Sequence, residues 1–68
     1  MPLVEVTLTQ GRSAEQVRSL IRELHDAVVR AGVADAPAVR VIVREVPATH
    51  WASGGVTIAE RRASQPSR

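Results

Sequence analysis

The sequence predicts a small α+β domain built on a βαβ unit, with two parallel strands, one long helix and a short hairpin near the C-terminus. Two alternating apolar segments, at the start and in the middle of the chain, indicate the strands, and an apolar stripe of helical period lies between them. A strand, a helix and a strand joined by a crossover of about thirty residues form a unit whose strands run parallel. The crossover is then right-handed.

The first strand is predicted over residues 1–9. Val4, Val6 and Leu8 face one way and the residues between them face the other, which is the period of a strand with one buried face. Gly11 then interrupts the alternation, and Arg12 follows at the top of the strand.

The helix is predicted to begin at about Ala14. Ser13 is a suitable N-cap, and Gln16 stands three positions later, at the spacing of a capping box. Apolar residues then recur at intervals of three and four over about four turns. The members of this stripe are Val17, Leu20, Ile21, Leu24, Ala27, Val28 and Ala31. Gly32 is the expected C-cap, and His25, at the flank of the stripe, is interpreted as an ordinary half-buried histidine.

The second strand is predicted over residues 39–46 and ends at Pro47. One face carries Val39, Val41 and Val43, and the other carries Arg40, Ile42 and Arg44. A glycine-rich turn at residues 50–55 and the alternating run Val56-Thr57-Ile58 then predict a small hairpin or an edge strand that docks on a neighbour. Residues 63–68 carry no periodic signal, so the single domain is expected to span residues 1–62 and to end in a flexible tail.

Oligomerisation is expected because so short a chain cannot close its own core. A domain of about 60 residues buries only about 60% of the surface that its unfolded chain exposes. Two parallel strands under one helix leave a sheet face and both edges uncovered, which parallel sheets rarely tolerate. The chain has no cysteine for disulfides and only His25 and His50 as soft ligands, so structural zinc is not expected either.

Composition and charge argue against nucleic acid and membranes as partners. The net charge is only +2, the arginines are scattered, and the single aromatic residue, Trp51, leaves none to interleave with them for base stacking. No apolar stretch approaches the roughly 20 residues of a membrane span, and the N-terminus lacks the pattern of a signal peptide. We therefore expect a cytoplasmic protein with no membrane contact.

Pro2 is the first candidate for chemistry. Aminopeptidases remove an initiator methionine when the next residue is small, and the chain would then begin with the secondary amine of Pro2, a base held by a strand. Arg12 and Arg40 stand beside the ends of predicted elements, and two guanidinium groups suit a carboxylate and a developing enolate oxygen. Because one follows the first strand and the other begins the second, they need not meet within one subunit.

These residues together resemble the 4-oxalocrotonate tautomerase family. The resemblance is carried, in order and with matching spacing, by Pro2, the segment Gly11-Arg12-Ser13-Ala14-Glu15-Gln16, the segment Val39-Arg40-Val41-Ile42, the pair His50-Trp51 and the pair Gly54-Gly55. It runs from Pro2 to about Arg62, which is nearly the whole chain. Members of that family are small βαβ subunits that usually form hexamers arranged as trimers of dimers.

The resemblance implies a cofactor-independent tautomerase that needs no metal and works as a homohexamer with sites at subunit interfaces. Pro2 would be the general base for a 1,3- or 1,5-proton transfer on a small unsaturated 2-hydroxy or 2-oxo acid, such as 2-hydroxymuconate or a biosynthetic analogue. Arg12 would hold the distal carboxylate. Arg40 of an adjacent subunit would bind the carbonyl or hydroxyl oxygen and the near carboxylate. The family typically has phenylalanine where this chain has Trp51, so a larger indole would wall the pocket and reshape it.

Two other readings stay open at this point. In one of them the chain is a non-catalytic interaction subunit of a mixed hexamer, in which a partner supplies the amine. The same proline amine would also suit a hydratase or dehalogenase acting on an unsaturated acid. The joint presence of Pro2, Arg12 and Arg40 favours catalysis over assembly alone, because a purely structural subunit has no need of all three.

Overall fold

The computed structural model describes residues 1–65 and contains two sheets of two strands each with two helices. In chain order the strands and helices are β1 (Leu3–Thr9), α1 (Ala14–Arg30), β2 (Arg40–Val46), β3 (Ala52–Ser53), β4 (Val56–Thr57) and α2 (Ile58–Ala63). Two short 3₁₀ helices, Ala36–Ala38 and Ala48–His50, lie on either side of β2. Within residues 1–65, neither helix is long and apolar enough to cross a bilayer.

The predicted βαβ unit is confirmed. β1 and β2 pair in parallel, in a register that sets Leu3 opposite Arg40 and Thr9 opposite Val46. The face of this sheet that α1 covers carries the half-buried valines and leucine of both strands, which are Val4, Val6, Leu8, Val41 and Val43. Leu3 and Ile42 point to the other face and are 52% and 40% exposed, so that face is open in the single chain.

Helix α1 begins where the sequence predicts. Ser13 Oγ accepts a hydrogen bond from Gln16 N–H at 3.1 Å, and Gln16 Oε1 accepts one from Ser13 N–H at 2.8 Å. These two bonds form the capping box and satisfy two N–H groups that the first turn leaves without helical partners. At the other end Ala31 is the C-cap, and Gly32 follows it with a φ of 76°, so the predicted C-cap glycine lies one residue beyond the cap.

Replacing Ser13 by alanine is expected to lower the free energy of unfolding by about 1 kcal/mol. The substitution removes the hydroxyl that accepts from Gln16 N–H and leaves the rest of α1 unchanged. Chemical denaturation followed by circular dichroism measures the change. Ser19→Ala, at an exposed position inside the same helix, is the control and should leave stability nearly unaltered. Equal effects of the two substitutions would contradict a capping role for Ser13.

The predicted hairpin is also confirmed, but the run that follows it is not a strand throughout. Ser53 and Val56 pair across a two-residue turn, in which Gly54 and Gly55 have φ values of 61° and 81°. A turn with two positive φ values matches the twist of a tight hairpin and favours glycine at both positions. Ile58, predicted to continue the alternating run, is instead the first residue of α2.

A second capping box explains the start of α2. Thr57 Oγ1 accepts from Glu60 N–H at 3.1 Å, and Glu60 Oε1 accepts from Thr57 N–H at 2.9 Å. The Thr-x-x-Glu spacing specifies a helix start, and it prevails over an alternation of only three residues. Ala63, the first residue of the expected tail, is the last residue of α2, while residues 66–68 of that tail lie outside the described part of the chain.

Residues 48–65 form an arm that packs mainly on itself. Its main internal contact is between α2 and the 3₁₀ helix Ala48–His50, and Arg61 donates to the carbonyl oxygen of Ser53 at 3.0 Å. The radius of gyration is 15.7 Å, against about 11 Å for a compact domain of this length. Val39, at 8% exposure, is the single buried apolar residue in the part of the chain that the structure describes. One chain by itself therefore has little core.

Candidate active site

Pro2 lies immediately before β1 and is tied to the start of β2. Its carbonyl oxygen accepts a hydrogen bond from the backbone N–H of Arg40 at 3.0 Å. The Pro2 side chain is half-buried, whereas Met1 is 85% exposed. The peptide bond between Met1 and Pro2 is therefore accessible, and removal of Met1 would disturb no side-chain packing within the chain.

Arg40 begins β2, with its side chain exposed on the open face of the sheet, opposite Leu3. Its Nη1 donates to the carbonyl oxygen of Pro37 at 2.9 Å, in the 3₁₀ helix that precedes the strand. Pro2 falls one position before Leu3 and shares the half-buried character of Val4. Since successive residues of a strand alternate in direction, the side chains of Pro2 and Arg40 belong to opposite faces even though their backbones are bonded.

Arg12 is held at the far end of β1. Its Nη1 donates to the carbonyl oxygen of Thr9 at 2.7 Å and to Thr9 Oγ1 at 3.1 Å. Thr9 is only 6% exposed, so this anchor is firm. Seven residues of strand separate Pro2 from this end, and at about 3.3 Å per residue they span roughly 23 Å. Within one chain the backbones of Pro2 and Arg40 are adjacent while their side chains diverge, and Arg12 lies remote from both.

Trp51 stands on the arm, where the 3₁₀ helix Ala48–His50 leads into β3. Its backbone carbonyl accepts from Ile58 N–H at 2.8 Å, which fixes the main chain at this point. The side chain is 38% exposed. A large aromatic surface that its own chain leaves partly uncovered is available to a ligand or to a neighbouring subunit.

The arginines on the sheet differ in their partners. Arg44 Nη2 lies 3.1 Å from Glu5 Oε1, so its charge is paired across the two strands. Arg12 and Arg40 are held by carbonyl and hydroxyl oxygens, and within residues 1–65 neither forms an ion pair with a carboxylate. Their guanidinium charges are therefore oriented but not neutralised, as binding of an anionic substrate requires.

His25 makes contacts that its place in the sequence does not reveal. Nδ1 lies 3.0 Å from Asp26 Oδ1, and Nε2 lies 3.1 Å from the carbonyl oxygen of Ala36. The hydrogen bond to Asp26, reinforced by the one to Ala36, raises the pKa of His25 above its ordinary value of 6.5. The histidine borders a pocket of about 290 Å³ between α1 and β2. The other residues lining it are Arg18, Ile21, Arg22, Val39 and Val41, so it contains none of the predicted site residues.

Metal ligands do not gather anywhere in the described residues. No three side chains of histidine, cysteine, aspartate or glutamate within residues 1–65 approach one another as a metal-binding group would. The predicted site residues are instead an amine precursor, Pro2, and two cations, Arg12 and Arg40, and cations of this kind suit an organic anion.

Comparisons with known proteins identify the family of this chain. Residues 2–61 match the model of the family described as tautomerase enzyme. The 2-hydroxymuconate tautomerase of Stutzerimonas stutzeri is 42% identical over 55 residues, covering 81% of this chain and 87% of the relative.

Solved structures point the same way. TomN, a 4-oxalocrotonate tautomerase homologue in the tomaymycin biosynthetic pathway, is 46% identical with a TM-score of 0.89, covering 93% of this chain and 97% of that one. A heterohexamer 4-oxalocrotonate tautomerase from Chloroflexus aurantiacus J-10-fl is 43% identical with a TM-score of 0.83, covering 88% of this chain and 97% of that one. The resemblance found in the sequence is confirmed, and the chain belongs to the tautomerase family of enzymes.

Proposed function

We propose that this enzyme is a cofactor-independent keto-enol tautomerase that uses the amine of Pro2 as general base on a small unsaturated 2-hydroxy or 2-oxo acid. The observation that carries the proposal is the setting of Pro2, half-buried and tied by its carbonyl to Arg40, behind an exposed Met1. The similarity to a 2-hydroxymuconate tautomerase makes 2-hydroxymuconate the first substrate to test.

Removal of Met1 converts the nitrogen of Pro2 from an amide into a secondary amine. Partial burial and nearby guanidinium charge both disfavour the protonated amine, so the neutral base is favoured near neutral pH. In ketonisation the amine takes up the proton of the enol hydroxyl, and a proton is delivered to a carbon of the unsaturated chain, in a net 1,3- or 1,5-transfer. A base positioned in this way accelerates proton transfer by typically 10²- to 10⁴-fold.

The two oriented arginines complete the proposed site. Arg12 binds the distal carboxylate, and Arg40 binds the carbonyl or hydroxyl oxygen and the near carboxylate, where negative charge develops. A span of roughly 23 Å from Pro2 to Arg12 exceeds the length of such an acid, so Arg12 must come from another subunit. The side chains of Pro2 and Arg40 of one chain point to opposite faces of the sheet. This supports a site in which Arg40 also comes from an adjacent subunit.

We therefore infer a homohexamer, arranged as a trimer of dimers, with each site at an interface between subunits. The open sheet face, the extended arm and the scarcity of buried side chains in the single chain support assembly. The heterohexameric relative supports the number of subunits.

The test is the ketonisation of 2-hydroxymuconate, followed by absorbance, on protein whose intact mass shows that Met1 is absent. A kcat/KM of about 10⁶ to 10⁸ M⁻¹s⁻¹ would identify this acid as the substrate. Weak turnover that still depends on Pro2 would support the proline base but not this substrate. Other enol acids would then be tested, such as those of biosynthetic pathways like that of TomN. Absence of turnover from a correctly processed hexamer would contradict the proposal.

Trp51→Phe is expected to raise kcat/KM for 2-hydroxymuconate by roughly three- to tenfold. The family resemblance places phenylalanine at this position, and the larger indole narrows the pocket toward a different acid. Steady-state kinetics on 2-hydroxymuconate measure the change. Val33→Ala removes apolar surface at a position that is 69% exposed, and it serves as the control with unchanged kinetics. An unchanged kcat/KM in Trp51→Phe would remove Trp51 from the substrate pocket, and a lower one would contradict the narrowing of the pocket by the indole.

A second candidate function is that of an interaction subunit in a mixed hexamer, which the heterohexameric relative from Chloroflexus aurantiacus favours. In that case the partner would supply the catalytic amine. Sedimentation of the chain expressed alone separates the two candidates. A self-sufficient tautomerase forms a hexamer by itself, whereas a subunit that needs a partner stays a monomer or dimer.

A further inference from the structure

The 3₁₀ helix Ala36–Ala38 connects α1 to the start of β2 and holds two side chains through neighbouring carbonyl groups. The oxygen of Ala36 lies 3.1 Å from His25 Nε2, and the oxygen of Pro37 accepts from Arg40 Nη1 at 2.9 Å. We propose that His25 is a positioning residue for the Arg40 guanidinium and acts through this 3₁₀ helix. The proposal rests on the proposed function only in that Arg40 binds the substrate there.

One hydrogen bond shapes the 3₁₀ helix from within, from Ala38 N–H to the carbonyl oxygen of Asp35 at 2.9 Å, and the contact with His25 ties the helix to α1. Asp35 is its N-cap residue but makes no side-chain capping hydrogen bond. The other donor to the Ala36 carbonyl is Val39 N–H, at the long distance of 3.3 Å. The short contact from His25 is therefore the main bond on this carbonyl, and its loss would free the adjacent peptide groups, including the Pro37 carbonyl that orients Arg40.

The contact between His25 and Ala36 depends on the charge of the ring. Both ring nitrogens face oxygen acceptors, Asp26 Oδ1 on one side and the Ala36 carbonyl on the other. An imidazolium donates to both, whereas a neutral imidazole donates from one nitrogen only. Protonated His25 therefore makes both bonds. After deprotonation the one remaining N–H favours the carboxylate of Asp26, which is a stronger acceptor than a carbonyl, so the bond to Ala36 is the one that is lost.

The charged surroundings fix the direction of the pH dependence. The charged groups around the ring are Arg18, Arg22 and Asp26 on α1, with Asp35 and Arg40 at the two ends of the 3₁₀ helix. Asp26 raises the pKa of His25, and Arg18 opposes it. The pKa of His25 is higher in the folded protein than its ordinary value of 6.5. The hydrogen bond between His25 and the Ala36 carbonyl is therefore fully formed below pH 6.5 and is lost as the pH rises through the pKa of the folded state.

Nuclear magnetic resonance of isotopically labelled protein lacking Met1 tests the proposal without any substrate. The ring signals of His25 and the side-chain Nε–H signal of Arg40 are followed between about pH 5 and 8. Both signals should titrate with one midpoint. Asp26→Asn, which removes the charge that stabilises the imidazolium, should lower both midpoints, and Arg18→Gln should raise both. The proposal would be overturned if the Arg40 Nε–H signal did not shift as His25 titrates. It would also be overturned if that signal titrated with the same midpoint in His25→Gln.

Kinetics supply a second readout. His25→Gln should lower kcat by roughly tenfold, because small displacements of a substrate-positioning group have effects of this order. In the parent enzyme kcat should fall above the pKa of His25, and that fall should be absent in His25→Gln. Glu23→Gln, exposed on the same helix, is the charge-changing control. Circular dichroism confirms that each variant is folded. If no variant turns over 2-hydroxymuconate, the proposed substrate fails, while the resonance experiment still decides the role of His25.

Discussion

Blocking the nitrogen of Pro2 will lower kcat/KM for the ketonisation of 2-hydroxymuconate by roughly 10²- to 10⁴-fold. A short N-terminal extension that aminopeptidases do not remove keeps this nitrogen in an amide, which has no basic lone pair. Because Met1 is 85% exposed, residues added before it displace no packed side chain of the same subunit. The loss will therefore report on the amine and not on folding.

The matched control carries the same added residues after Arg68. Intact mass verifies both proteins, and sedimentation shows whether each assembles as the parent does. The extended and control proteins are compared in the same absorbance assay, at several substrate concentrations. Full activity in a protein with a blocked Pro2 and the parental assembly would exclude the amine as the base.

Two impaired proteins will recover activity when they are mixed, unfolded and refolded together. One has a blocked Pro2, and the other is Arg12→Ala, which should lower kcat/KM by roughly 10²-fold because the distal carboxylate loses its cation. Pro2 and Arg12 lie at opposite ends of β1, and in the proposed interface site they come from different subunits. Random mixing in equal amounts then restores about a quarter of the sites.

The recovery is measured at substrate concentrations well below KM, where the Arg12 substitution has its full effect. Proteins refolded separately and then combined provide the control, because their subunits have not exchanged during assembly. A single subunit that supplied both groups would give no recovery, since every site would lack one of them. That result would place Arg12 and Pro2 in the same chain's site and contradict the interface model.

Local patterns in the sequence were sufficient to predict the βαβ unit. The alternation of residues 1–9 and 39–46 and the Ser13 capping box each act over a few neighbours, and the structure confirms all three. Parallel strands also predicted that Arg12 and Arg40 need not meet within one subunit, and in the structure the two arginines lie at opposite ends of the paired strands. Ile58 was assigned wrongly because three alternating residues carry little information, whereas the Thr57 capping box directs the chain into a helix.

The contacts of His25 could not be predicted from local sequence patterns, because they join residues that are distant in the sequence. Ala36 is eleven residues away, and its acceptor is a backbone carbonyl, which leaves no mark on the sequence. Only the arrangement of α1 against the 3₁₀ helix Ala36–Ala38 brings the two groups together. The proposed sites between subunits depend likewise on surfaces that meet after folding, so the roles of their residues were inferred from the family resemblance.

The hydrogen bond between the Pro2 carbonyl and Arg40 N–H has an evolutionary consequence. In the proposed mechanism the reactive nitrogen belongs to the main chain and has no side-chain torsions, so its position depends on the pairing of β1 with β2. Substitution of Trp51, the proposed pocket wall, would then change which acids enter while the nitrogen stays in place. Single substitutions can therefore change substrate specificity while the position of the base is retained, so a very short chain can evolve to act on new substrates.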